Sequence, residues 1–147
     1  MKILAIASAG GHWIQLLRLK PAFEGHELIF VSTKKSFKDT VDGYEFHSIP
    51  DASRWNKMKL LYSLMCVLKI VFLSRPNIII TTGAAPGLMG IIAGKVIGAK
   101  TVWIDSIANV ENISMSGRIA TSIADRSYTQ WPDLSNSKVT FNGSVLS

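Results

Sequence analysis

The residues best suited to chemistry in this chain lie in three short stretches. The first is Ser8-Ala9-Gly10-Gly11-His12. Two adjacent glycines let a backbone approach a ligand closely. The apolar run that follows, with Ile14, Leu16, Leu17 and Leu19, predicts a helix whose N-terminus would favour an anion. His12 stands at the mouth of that turn, where an imidazole can act as a general base or as a donor to phosphate. A histidine that only caps or packs against the helix is the plainer alternative. The second stretch, Thr81-Thr82-Gly83-Ala84-Ala85-Pro86-Gly87, is made of small residues, and Pro86 suits a first helical turn. It would leave backbone N–H groups pointing at a cleft, although Gly87 and Gly90 would equally serve close packing of a helix on a sheet. The third, Asp105 to Asn112, is polar and acidic. It can hydrogen-bond sugar hydroxyls or be an ordinary solvated loop.

Several familiar sites are excluded by spacing. A dinucleotide fingerprint requires Gly-x-Gly-x-x-Gly and an acid about 20 residues later. Here the glycines are adjacent, the third is absent, and the next apolar run ends in Thr33-Lys34-Lys35. No Gly-Lys-Ser/Thr phosphate loop, nucleophile elbow or zinc signature is present. His12, His26 and His47 lack ligand spacing, so neither a metal nor a cofactor is expected. The single cysteine, Cys66, lies between Met65 and Val67 and reads as a buried thiol.

The elements that would hold the three stretches alternate. Strands are predicted at 2–8, 27–33, 44–49, 77–82 and 100–106, with further extended segments at 126–131 and 138–141. Helices are predicted at about 12–20, 36–41, 56–74, 86–97 and 116–124. The isoleucine-rich run after Asn77 suits a strand buried on both faces. Such alternation implies an α/β fold: a Rossmann-like, open, doubly wound parallel sheet with ligands at the carboxyl ends of its strands. The length of 147 residues fits a single domain, 1–147, and neither repeats nor linkers interrupt it. The strand pattern begins at Lys2 with no cleavable signal peptide before it, which places the chain on the cytoplasmic side.

Two features turn the reading toward a membrane. The composition is 48% hydrophobic and 18% charged, with a net charge of +6. A basic surface attracts phosphates of nucleic acid, anionic lipid or a nucleotide sugar, and charge alone does not choose among them. The run Leu60–Leu73 has only Ser63 and Lys69 as polar residues. At 1.5 Å per residue it spans about 21 Å, too short for a hydrocarbon core of about 30 Å. It can lie in the interface through Leu64, Leu68 and Phe72, with Arg54, Lys57, Lys59, Lys69 and Arg75 available to headgroups. Core packing or a partner protein would also cover it.

Taken together, the Gly10-Gly11-His12 turn with Leu16-Leu17, Thr82-Gly83-Ala84 before Pro86, Gly98-Ala99-Lys100-Thr101, and Ala124-Asp125-Arg126 before Gln130-Trp131 resemble a known family. It is the membrane-anchor subunit of the two-chain dolichol- or polyprenyl-diphosphate N-acetylglucosaminyltransferases, with bacterial relatives in capsule and exopolysaccharide synthesis. The chain is also similar to the N-terminal half of the lipid II-forming transferase. The resemblance covers nearly the whole chain and implies half of a GT-B glycosyltransferase. A second short chain would bind the UDP-sugar, and this chain would hold a lipid-diphosphate-linked acceptor at a membrane surface, with no role in nucleic-acid binding. Carried over, His12 is the candidate base. Gly10, Gly11, Thr82, Gly83 and Ala84 match the acceptor-side loops, and Asp105 takes the place of an acid found after the fifth strand. The N-terminal transmembrane anchor of the eukaryotic members has no counterpart here. A scaffold that only recruits a catalytic partner, and a stand-alone nucleotide-binding protein, are the competing readings.

Overall fold

The computed structural model describes residues 1–53 and 55–145, so Arg54, one of the cations expected to meet headgroups, lies outside the described residues. Seven parallel strands form one sheet in the order β3-β2-β1-β4-β5-β6-β7. They are β1 (Lys2–Ile6), β2 (Glu27–Ser32), β3 (Glu45–Ser48), β4 (Ile78–Thr81), β5 (Lys100–Ile104), β6 (Arg126–Thr129) and β7 (Thr140–Phe141). The helices are α1 (Gly11–Arg18), α2 (Lys57–Ser74), α3 (Ala84–Ile97) and α4 (Met115–Thr121). The short helix expected near 36–41 is a 3₁₀ segment, Lys35–Val41, and another 3₁₀ segment, Lys20–Phe23, continues from α1.

Side-chain alternation sorts the central strands onto two cores. Leu4, Ile6, Ile29, Val31 and Ile79 face Val67 and Val71 of α2 and Met89 and Ala93 of α3. Ile3, Ala5, Leu28, Phe30 and Ile80 face Trp13 and Leu16 of α1. Both faces are covered, which is why these strands are continuous apolar runs. Trp13 anchors α1: its ring stacks on Phe37 at 5.2 Å and its Nε1 donates to Thr40 Oγ1 at 3.0 Å. α3 lies close on the sheet because Gly90 faces Ile6 and Gly94 faces Ile79 and Thr101, where a Cβ would come within 2.8 Å of its neighbours. The packing role foreseen for Gly87 is also present, since it meets Thr81.

The long apolar helix α2 has a core side and an open side. Ser63, Val67 and Val71 are buried, and the Ser63 hydroxyl donates to the Pro50 carbonyl at 2.7 Å. Leu64 and Leu68 pack against the core from half-buried positions. The outward apolar residues are instead Met58, Leu61, Tyr62, Met65, Phe72 and Leu73, between 43% and 78% exposed. Of the three side chains expected to meet lipid, therefore, only Phe72 faces outward. Leu64 and Leu68 belong to the other side because a nearly all-apolar helix carries little pattern to set its phase. Lys57 and Lys59 are exposed, as a headgroup contact requires. Among the described residues, no helix is long and apolar enough to cross a membrane.

Candidate functional site

The strand order reverses between β1 and β4, which run side by side with Ile6 opposite Thr81. In an open α/β sheet that switch point opens a crevice at the carboxyl ends of the strands. Two of the three stretches singled out by sequence leave these strands and meet there.

His12 and Thr82 lock the two turns together. His12 Nδ1 lies 3.1 Å from the Thr82 carbonyl oxygen, and Thr82 Oγ1 donates to the His12 carbonyl at 2.6 Å. A carbonyl only accepts, so the ring must carry its proton on Nδ1 in this bond. In the neutral ring Nε2 then holds the lone pair, the form a general base requires. The ring also rests on Gly83, where a Cβ would stand 2.9 Å from His12 Cε1 and Nδ1. Gly83 has φ 131° and ψ −171°, a region open essentially to glycine alone.

The helices that start here are uncapped by side chains. α1 begins after Gly10, at φ 86°, and α3 after Gly83, and neither receives a side-chain cap. α2 and α4, by contrast, are capped by Asn56 and Ser114, which accept from Lys59 N and Gly117 N. No acidic residue occupies the first turn of α1 or α3. Free N–H groups and two positive helix ends are thus aimed at one edge, an arrangement that suits a phosphate. Gly10 and Gly11 are exposed there, and His12 and Ala84 are half-buried. Ala84 takes a left-handed φ of 65° as it enters α3. The glycine turn is braced by Thr33, whose Oγ1 accepts from Ala9 N at 3.1 Å.

Three of the expected contacts lie beneath this surface. Thr82 is fully buried, and its hydroxyl and carbonyl are both engaged by His12. The N–H of buried Gly83 donates to Thr81 Oγ1 at 3.1 Å. Asp105 is 1% exposed. Its carboxylate accepts from Trp103 Nε1, Asn109 Nδ2, Ser114 N and Ser114 Oγ at 2.8–3.2 Å. These three residues shape the site from below; the ligand-facing role expected of them is corrected to a positioning one.

Gln15, unforeseen by sequence reasoning, brings the third stretch in. It is 3% exposed; its Nε2 donates to the Asp105 carbonyl and its Oε1 accepts from Ile107 N, both at 3.0 Å. Trp131 Nε1 donates to the Ile107 carbonyl at 2.9 Å. The one available signal was an amide between Ile14 and Leu16, inside the apolar run of α1. At the opposite end of the sheet, Asp125 accepts from Lys95 Nζ at 2.9 Å, Thr101 N at 2.8 Å and Thr101 Oγ1 at 3.0 Å. That explains two of the motif fragments noted in the sequence as ties between β5 and the entry to β6.

Comparison with known proteins agrees with this architecture. The family described as "Oligosaccharide biosynthesis protein Alg14 like" matches residues 3–145. The rat UDP-N-acetylglucosamine transferase subunit ALG14 is 26% identical over 164 residues, covering 90% of this chain and 76% of the rat protein. Among solved structures, Acinetobacter baumannii MurG superposes with a TM-score of 0.78 at 13% identity, covering 96% of this chain and 45% of that one. The UDP-N-acetylglucosamine 2-epimerase of Rickettsia bellii gives 0.74 at 14% identity, covering 99% and 45%. The chain therefore spans less than half the length of these structures, which share its fold.

Proposed function

The chain belongs to the Alg14-like family of oligosaccharide biosynthesis proteins, and on that premise we propose that it is the acceptor-side subunit of a two-chain glycosyltransferase, inactive alone. The partner would be a second short chain that binds the UDP-sugar, and the acceptor a sugar linked through diphosphate to a lipid. The relatives' name makes UDP-N-acetylglucosamine the first donor to test. The products would belong to lipid-linked oligosaccharide, capsule or exopolysaccharide synthesis. The chain would work as one domain, held peripherally at the cytoplasmic face through the open side of α2.

The observation that carries the reading is the contact of His12 Nδ1 with the Thr82 carbonyl oxygen. With Nδ1 bound to the Thr82 carbonyl, Nε2 is left to take the proton of the acceptor hydroxyl. The hydroxyl oxygen attacks the anomeric carbon, the bond to UDP breaks, and UDP leaves with the electron pair. The acceptor diphosphate would sit on the uncapped starts of α1 and α3, at Gly10, Gly11 and Ala84.

Two measurements test this. The purified chain with UDP-sugar and a lipid-diphosphate acceptor should give no turnover until the partner is added; robust turnover without it overturns the split enzyme. In the assembled complex at saturating acceptor, His12→Ala should lower turnover about 10²–10⁴-fold, the usual contribution of a general base. Partner binding should be unchanged. A loss below about threefold would exclude base catalysis by His12 and favour a scaffold that only recruits the catalytic chain.

A further inference from the structure

α2 and α3 both start at the edge that carries the candidate site, because each follows the carboxyl end of a strand. Between their first two to three turns runs a groove of about 380 Å³. Leu60, Leu61 and Leu64 form one wall, and Ala85, Leu88 and Ile92 the other. Its lining exposes no nitrogen or oxygen. Ala85 directly follows Ala84, so the groove opens where the proposed diphosphate seat ends. Its outer lip is Leu61, 56% exposed, and Ile92, 37% exposed. The exposed cations Lys57 and Lys59 stand in the same first turn of α2.

We propose that this α2–α3 groove holds the first isoprene units of the acceptor's lipid, a reading that rests on the lipid-diphosphate acceptor proposed above. The lining selects the occupant. An extended peptide would bring backbone N–H and C=O groups into a groove that offers them no partner. A hydrocarbon chain brings none. Its polar end is held at the helix starts, and its far end leaves past Leu61 toward the exposed Tyr62 and Met65 of α2. The groove thus joins the reacting head of the acceptor to the bilayer by a continuous apolar path and fixes the direction from which the sugar enters.

The test uses the complex with its partner and water-soluble acceptors of one sugar-diphosphate head carrying no isoprene unit, one, or two. Burying even two methylenes is worth about tenfold in affinity, so KM should fall at least about tenfold from the chainless acceptor to the two-unit one. Leu61→Gln with Ile92→Gln should reduce that difference to under about threefold while leaving the chainless acceptor's kcat/KM unchanged. Leu73→Gln, at the far end of the same helix and off the groove, should preserve the full difference. In parallel, a sugar-diphosphate with a benzophenone-tagged two-unit chain should photolabel residues 60–64 or 85–92 of the unmodified chain. Labelling elsewhere, no labelling, or an undiminished chain-length effect in the double variant overturns the groove. Failure of all three acceptors to react would instead count against the transferase reading, and the photolabelling still decides the groove.

Discussion

Gly83 meets two demands at once: its backbone occupies a region that side chains avoid, and its missing Cβ makes room for the His12 ring. Gly83→Ala should cost about 1–3 kcal/mol from the backbone conformation alone. It should also displace the imidazole, so turnover of the assembled complex should fall by more than the stability loss explains. A urea titration beside a turnover assay separates the two effects. Asp125 makes a prediction in pH. The Lys95 ammonium, helped by the Thr101 N–H, lowers its carboxyl from 3.8 to about 2. A carboxylate with a depressed folded pKa contributes stability that is fully present above its unfolded value and is lost as pH falls through the folded one. Stability should therefore decline between about pH 3.8 and pH 2. Asp125→Asn should flatten that decline in urea midpoints measured across the window, and an unchanged slope would refute the assignment. Residue types were legible where they are unusual, as with a histidine after two glycines. Their orientation was not. Asp105 was read as a surface acid because its donors, Trp103, Asn109 and Ser114, converge only in the folded loop.

The helices show where pattern reading holds and where it fails. α3 was placed by its glycines and Pro86, and the structure confirms that α3 presses on the sheet at Gly87, Gly90 and Gly94. α2 was placed along the chain but not around its own axis, since almost every position from Leu60 to Leu73 is apolar. The two sides make different predictions. Leu61→Ser, Met65→Ser and Phe72→Ser together should release the chain from lipid vesicles and leave its thermal unfolding nearly unaltered. Leu64→Ser with Leu68→Ser should destabilise the fold instead, because each exchanges a core-packed leucine for a small polar residue. Sedimentation with anionic vesicles and thermal melts of both variants check this, and release without destabilisation by the second pair would reverse the assignment. Gln15 ties α1 to the loop after β5, and Gln15→Leu should cost about 1–3 kcal/mol by leaving buried backbone groups unpaired. Chemical denaturation measures it.

For the molecule as a whole, the alternation of strands and helices made the doubly wound class legible. What it left open was which turns meet. His12 and Thr82 come together because the chain crosses back over the sheet through α2, setting β4 against β1 and not beside β3. That order is a tertiary outcome of burying two cores, and no local stretch encodes it. It also sets a schedule for the ribosome. Ile3 pairs with Leu28 on one side and with Ile78 on the other, a partner 75 residues later in the chain. At a synthesis rate of roughly 5–20 residues per second, β1 waits several seconds with one edge open and with Leu4 and Ile6 bare. Parallel pairings of such long range close slowly. Until β4 emerges the nascent chain therefore keeps that edge unpaired, and the imidazole, which finds its carbonyl only when β4 docks, marks the moment that wait ends.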